Sequence, residues 1–125
     1  MIAADTSVVV DYLAGGASPE LERLDRALLH GSLVFPPVVL SELLCAKGLT
    51  VDLRRRLVAI PRLEILEGYW ERAGDMRAGL LARRLKARLA DTLIAQSCLD
   101  HDVPLLTRDG DFRHFTKHYR LRSTR

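Results

Sequence analysis

The feature that most constrains the fold is the alternation of short apolar segments with longer segments of helical pattern. Five segments have the length and apolar content of strands: residues 1–5, 32–35, 62–66, 103–107 and, less apolar, 119–122. Successive parallel strands need a crossover between them, and that crossover is usually a helix. The alternation therefore predicts an α/β fold, with a central, mainly parallel sheet between two layers of helices.

The segments between the predicted strands carry helix start and stop signals. Thr6 or Ser7 is predicted to cap the first helix, and Ser18 followed by Pro19 is a strong start signal for the second. Gly31 and Gly48 are predicted to stop helices because glycine readily adopts the conformation that ends them. The predicted helices cover residues 7–14, 18–31, 38–48, 50–60, 68–86 and 91–101, with a short helix or turn at 111–118.

Composition limits the class of protein. The chain has 125 residues, of which 48% are hydrophobic and 28% charged, so one globular domain over residues 1–125 is expected. The longest apolar stretch, residues 33–46, is too short for a membrane span and contains Glu42, so no membrane association is expected.

Cys45 and Cys98 lie in apolar helical segments and are predicted to be buried free thiols, which fits a cytoplasmic protein. A net charge of +3 permits a polyanionic partner.

Five acidic residues interrupt these apolar elements. Asp5 ends the first predicted strand, Asp109 and Asp111 follow the strand at 103–107, Asp91 begins a helix, and Glu42 lies inside an apolar helix. In open parallel sheets, ligand sites lie outside the carboxyl ends of the strands. The placement of these acids therefore predicts that they converge at one edge of the sheet.

Each acid also has a purely structural explanation. Asp91 is a suitable N-cap, Asp5 and the Asp109-Gly110-Asp111 segment suit turns, and Glu42 suits the solvent face of an amphipathic helix. If the acids do converge, each pair about 4 Å apart repels by roughly 4 kcal/mol at an effective dielectric constant near 20. Several pairs would exhaust the roughly 5–15 kcal/mol that stabilises a small domain. Either protons or cations must then neutralise them.

A set of oxygen ligands without His or Cys suits Mg²⁺ or Mn²⁺ rather than Zn²⁺. A site of this kind with open coordination positions binds phosphate oxygens and activates water. Basic residues near the predicted site are candidates for phosphate contacts, although most charge runs are only solvated surface. The candidates are Arg84, Lys86, Arg108 and Arg113.

Three segments together resemble a known family: "DTSVVVDYL" (5–13), "LSELL" (40–44) and "LADTLIAQSCLDHDVPLLTRDGDF" (89–112). They resemble the PIN-domain ribonucleases, and specifically the VapC toxins of prokaryotic VapBC toxin–antitoxin pairs. The resemblance implies a Rossmann-like α/β/α fold and a metal-dependent endoribonuclease. Position by position, Asp5, Glu42, Asp91 and Asp109 match the family's acidic quartet, Asp111 matches a further acid near the metal, and Thr6 and Thr107 match hydroxyl residues that support the ligands.

The resemblance also implies a mechanism and partners. One or two Mg²⁺ or Mn²⁺ ions would lie between the acids, Glu42 would orient a metal-bound water or hold a second ion, and that water would attack an RNA phosphodiester. A VapB-type antitoxin would block the groove, and the toxin would form a homodimer. The segment "TRDGDF" departs from the family pattern by offering two Asp residues; Asp109 is favoured as the direct ligand, with Asp111 second.

Three other functions are compatible with parts of the sequence. The first is a PIN nuclease of RNA processing that is not a toxin. The second is a catalytically idle binding module, whose acids are structural and whose groove docks a partner peptide. The third is a phosphotransfer enzyme with Asp5 as nucleophile, which is disfavoured because Ser7 stands where such enzymes commonly have a second Asp, and because no Gly-rich phosphate loop is present.

Overall fold

The computed structural model describes residues 1–124 and contains a four-stranded sheet whose paired strands are all parallel. The strands are β1 (Ile2–Ala4), β2 (Leu33–Val34), β3 (Leu105–Leu106) and β4 (Ser123–Thr124), in the order β2-β1-β3-β4. Helices flank the sheet in an α/β/α arrangement, which confirms the predicted fold class. Because β1 and β3 are the two central strands, the residues that follow them meet at the middle of one sheet edge.

Seven α-helices connect the strands in the described part of the chain, and most lie where the sequence predicts them. A turn of 3-10 helix, Gly110–Phe112, precedes the last one. The helices are α1 (Thr6–Leu13), α2 (Pro19–Leu29), α3 (Pro37–Leu44), α4 (Val51–Ala59), α5 (Tyr69–Ala82), α6 (Leu89–His101) and α7 (Arg113–Tyr119).

Helices α1, α3 and α6 begin one or two residues earlier than predicted, and the starts of α1 and α6 change the explanation of two acids. The predicted cap of α1 at Thr6 or Ser7 is wrong, because the carboxylate of Asp5 accepts the Val8 N–H at 2.9 Å and caps the helix itself. Helix α6 begins at Leu89, so Asp91 lies within its first turn and is not its N-cap. The structural explanation of Asp91 as a capping residue is thereby excluded.

The predicted strand at 62–66 is wrong. This segment forms a single bridge, with Phe35 donating to the Pro61 carbonyl at 2.8 Å and accepting from the Leu63 N–H at 2.9 Å. Pairing stops there because Phe35 is followed by Pro36 and Pro37, which have no N–H to donate.

The last strand is displaced from its predicted position at 119–122 to Ser123–Thr124. Helix α7 extends through Tyr119, and Arg120 adopts a left-handed conformation with φ 62° that ends it. The chain joins β3 only after this turn. Helices α3 and α5 likewise end four residues before their predicted limits, at Leu44 and Ala82.

Most of the buried apolar side chains form one hydrophobic cluster around the sheet. Five polar side chains are also buried, and two of them, Asp5 and Thr107, stand directly after the central strands β1 and β3. Cys98 is buried as predicted, but Cys45 is exposed because α3 has ended before it. Within residues 1–124, none of the helices has the length and apolar character needed to cross a membrane.

Candidate metal centre

Three carboxylates meet at the carboxyl-terminal edge of the sheet. One carboxylate oxygen from each of Asp91, Asp109 and Asp111 lies within 4.8 Å of the other two, and all three residues are half-buried. Asp91 comes from the first turn of α6, whereas the other two come from the turn after β3. Their side chains converge because α6 begins at the same sheet edge at which β3 ends.

Asp5 lies beside them at the end of β1 and is almost fully buried, with 2% of its surface exposed. Its carboxylate accepts hydrogen bonds from the Val8 N–H, from the Ser7 hydroxyl at 3.0 Å and from the Thr107 hydroxyl. Burial raises the pKa of Asp5, these hydrogen bonds lower it, and the charge of Asp109 raises it. The net direction is upward, so Asp5 is held at an energetic cost that its hydrogen bonds do not remove.

Asp91 responds to all three other acids. Burial is the largest cause that raises its pKa to about 6, followed by the charge of Asp109; Asp111 and Asp5 also raise it, while Arg88 lowers it. Asp5, Asp91, Asp109 and Asp111 therefore share one electrostatic environment, and together they are called the acidic site below.

Asp111 differs from the rest of the acidic site because two cations neutralise it. Lys86 Nζ and an Arg88 guanidinium nitrogen lie 2.9 Å and 3.1 Å from Asp111 Oδ2. The hydrogen bond from Lys86 is the main cause of a lowered pKa at Asp111. No ion pair of this kind reaches Asp5, Asp91 or Asp109 from any residue in the described range 1–124.

Thr107 links the two central strands at the acidic site. Its hydroxyl donates to Asp5 Oδ2 and accepts from the backbone N–H of Asp109 at 2.9 Å. Asp109 is further oriented because its Oδ1 accepts the Asp111 N–H at 2.8 Å. One buried hydroxyl thus sets the position of Asp5 and of the turn that carries the two other acids.

Glu42 is not among the clustered carboxylates. It is exposed on α3, and its Oε1 accepts the hydroxyl of Thr6 at 2.6 Å. Because Thr6 directly follows Asp5, this hydrogen bond ties Glu42 to the rim of the acidic site. Thr6 therefore supports Glu42, whereas Thr107 supports Asp5 and Asp109.

Among the four basic residues proposed from the sequence, Lys86 forms an ion pair with the acidic site, and the charge of Arg113 also helps to lower the pKa of Asp111. Arg108 forms an ion pair with Asp11 at 3.2 Å, and Arg84 is exposed in a left-handed turn with φ 60°. Arg113 donates to the Gly110 carbonyl at 3.3 Å and lines a surface cavity of about 290 Å³ that also includes Asp109.

Two residues that contact the acidic site, Ser7 and Arg88, are not among the candidate site residues given above. Ser7 donates to both oxygens of Asp5, and Arg88 binds Asp111. The signal for Ser7 was its position two residues after an acid at a helix start. The signal for Arg88 was its position in a basic run that leads directly into the first turn of α6.

The residues present fit a hard divalent cation. The clustered Asp91, Asp109 and Asp111 and the adjacent Asp5 offer carboxylate oxygens, which Mg²⁺ and Mn²⁺ prefer, and only Asp111 among these four has an ion pair within residues 1–124. A cation between them would remove the repulsion that raises the pKa of Asp91.

Known proteins resemble this chain in sequence pattern and in fold. Residues 2–118 match the family model of the PIN domain. The solved structure of FitAcB from Neisseria gonorrhoeae has a TM-score of 0.71 at 18% identity, covering 100% of this chain and 97% of the other. The structure of VapBC-5 from Mycobacterium tuberculosis has a TM-score of 0.64 at 22% identity, covering 99% of this chain and 97% of the other.

A third similar structure is VapBC2 from Rickettsia felis bound to a DNA fragment from its promoter, with a TM-score of 0.70 at 16% identity, covering 99% of this chain and 98% of the other. No curated protein matches the chain in sequence. At these identities the structural likeness shows a shared fold over essentially the whole chain.

Proposed function

Because the chain belongs to the PIN domain family, we propose that it is a metal-dependent endoribonuclease and the toxin of a toxin–antitoxin pair. PIN domains are generally nucleases. The observation that carries the proposal is the cluster of Asp91, Asp109 and Asp111 with the buried Asp5 beside it; of these four acids, Asp5, Asp91 and Asp109 have no ion pair within residues 1–124. A buried acidic group of this kind is costly for stability, so it is explained best by a function.

In this proposal Asp5, Asp91 and Asp109 hold one or two Mg²⁺ or Mn²⁺ ions. When bound, a divalent cation supplies positive charge for phosphate oxygens and polarises water. Asp109 is the preferred ligand from the turn after β3 because Asp111 is already neutralised by Lys86 and Arg88.

The chain itself supplies rigid supports for these ligands. Asp91 stands in the first turn of the 13-residue helix α6, whose N-terminal dipole favours an anion there. Thr107 and Ser7 hold the carboxylate of Asp5. Thr6 holds Glu42, and in this proposal the carboxylate of Glu42 would orient the attacking water or bind a second ion. Hydrolysis by this route needs neither a histidine nor the 2′-hydroxyl of RNA.

The partners follow from the same proposal. FitAcB, VapBC-5 and VapBC2 share the fold over nearly their whole length, and VapBC-5 is described as a member of a toxin–antitoxin family. We propose that this chain is likewise a single cytoplasmic domain over residues 1–125, that it forms a homodimer, and that a VapB-type antitoxin covers the groove beside its acidic site.

The test is cleavage of RNA by the purified chain in Mg²⁺ or Mn²⁺ and in EDTA. The expected result is metal-dependent cleavage that Asp5→Asn abolishes while the circular dichroism spectrum stays unchanged. Asp75→Asn is the matched control, because Asp75 is exposed on α5, outside the acidic site. Equal cleavage by Asp5→Asn would contradict the proposal. Absence of both cleavage and Mn²⁺ binding would favour an idle binding module.

A further inference from the structure

Two cations sit at the rim of the acidic site with most of their hydrogen-bonding capacity unused by it. Lys86 and Arg88 both bind the same oxygen of Asp111, yet their side chains remain 52% and 61% exposed. An ammonium group has three N–H donors and a guanidinium has five. A single carboxylate oxygen takes only a minority of them, so the remainder is available for an anionic ligand.

The backbone that carries these two cations is held in place. Arg77 on α5 donates its Nε–H to the Ala87 carbonyl at 2.7 Å, and Ala87 itself is buried. The Arg88 carbonyl accepts both the N–H of Thr92, at 3.0 Å, and its hydroxyl, at 2.8 Å. Lys86 and Arg88 therefore project from a fixed segment between α5 and α6, as a preorganised binding site requires.

Stability does not explain why Asp111 occupies this position. Exposed ion pairs contribute only about 0–1 kcal/mol. Against that gain, the charge of Asp111 adds to the repulsion that raises the pKa of Asp91. The useful property of the arrangement is its charge: two cations on one carboxylate leave a net positive group directly beside an acidic one.

Even with one divalent cation bound, the three carboxylates of Asp5, Asp91 and Asp109 would keep a net negative charge that repels a phosphodiester, and a positive group beside them favours its binding. We propose that Asp111 is a positioning residue rather than a metal ligand, and that it holds Lys86 and Arg88 to bind a phosphate of single-stranded RNA at the metal centre. This inference rests on the proposed function. It assigns Arg88 a role in substrate binding beside Lys86.

The cations are tested by RNA binding without cleavage. Fluorescence anisotropy of a labelled single-stranded RNA is measured in Mg²⁺ on the Asp5→Asn chain, over a range of KCl concentrations. Lys86→Met and Arg88→Met should each weaken binding several-fold and reduce the slope of log K against log salt by about 0.7. Arg54→Met, on the exposed surface of α4, is the matched control and should leave the slope unchanged. Unchanged slopes for both test variants would overturn the inference.

The direction in which Asp111→Asn changes RNA affinity separates two roles of Asp111, a purely electrostatic one and the positioning of Lys86 and Arg88. Removing a negative charge should strengthen RNA binding if Asp111 acts only through its charge. If it holds the two cations, Asp111→Asn should instead weaken RNA binding several-fold, while calorimetry shows Mn²⁺ affinity within about threefold of the unmodified chain. Asp75→Asn serves as the charge-matched control.

Tighter RNA binding by Asp111→Asn, or a loss of Mn²⁺ affinity as large as that of Asp91→Asn, would overturn the inference. If the unmodified chain binds no Mn²⁺, the proposed function fails instead. In that case the anisotropy measurements are repeated in EDTA, with Lys86→Met and Arg88→Met made in the chain that keeps Asp5. They would still decide whether these cations bind RNA.

Discussion

The repulsion within the acidic site predicts that Asp91→Asn stabilises the metal-free protein. Asp91 has a folded-state pKa of about 6 against an ordinary value of 3.8, with burial as the first cause and Asp109 as the second. A carboxyl group with a raised folded-state pKa destabilises the folded state when it is ionised and does not do so while it is protonated. The stability it allows is therefore present at low pH and is lost as the pH rises through about 6.

The magnitude follows from the size of this shift. One pKa unit corresponds to about 1.4 kcal/mol, so a shift of about two units corresponds to roughly 3 kcal/mol. Because Asp91 is only half-buried, solvent screening reduces this to about 1–2 kcal/mol. For a chain of this size the gain corresponds to a rise in Tm of about 3–8 °C.

The assay is thermal unfolding followed by circular dichroism in EDTA, between pH 4 and pH 8.5. We expect the unmodified chain to lose stability relative to Asp91→Asn as the pH rises from about 4 to about 6, with the full difference present above pH 6 and almost none near pH 4. Saturating Mn²⁺ should make the unmodified chain the more stable of the two. A metal ion at a hundred times its Kd stabilises the folded state by about 2.7 kcal/mol, and the variant lacks one of the carboxylates that would bind the metal.

A matched control lies on the same helix. Burial raises the pKa of Asp100, but hydrogen bonds from Arg72 and Gln96 outweigh it and the net direction is downward. Asp100→Asn should therefore destabilise the protein above pH 4, the opposite sign to Asp91→Asn. If Asp91→Asn were less stable than the unmodified chain at pH 8 in EDTA, or if Mn²⁺ stabilised both equally, the reasoning would be refuted.

Two further substitutions separate support of the acidic site from support of the fold. Thr107→Val removes the hydroxyl that joins Asp5 to the Asp109 N–H, so calorimetry should show Mn²⁺ affinity reduced by about 10–100-fold; an unchanged affinity would mean that this hydroxyl has no part in orienting the ligands. Arg72→Met breaks the ion pair with Asp100, whose side chain is only 8% exposed, so urea unfolding should show a lower midpoint while RNA cleavage at 20 °C remains. Lost cleavage in a folded variant would contradict this purely structural role.

The general position of the acidic site was predictable from the sequence. Asp5 and Asp109 are far apart in the chain, but each follows an apolar strand, and the rule for parallel sheets places both at one edge. The structure makes these strands, β1 and β3, direct neighbours. The type of each residue and its position after a strand were sufficient for this part of the prediction.

The remaining details depend on contacts between distant segments, which a local sequence pattern does not contain. Glu42 stands apart from the other acids because its direction depends on how α3 packs, not on the residues around it. The segment 62–66 has a strand-like pattern but lacks a partner with free N–H groups. The difference between Asp109 and Asp111 arises from Lys86 and Arg88, which the backbone between α5 and α6 brings to only one of them.

The most direct test of the account is a crystal structure of the chain soaked in Mn²⁺, with the metal located by anomalous scattering. The account predicts at least one manganese ion bound by carboxylate oxygens of Asp5, Asp91 and Asp109, with Lys86 and Arg88 still on Asp111. An absence of manganese at the acidic site, or an ion bound by Asp111 after displacement of both cations, would contradict it.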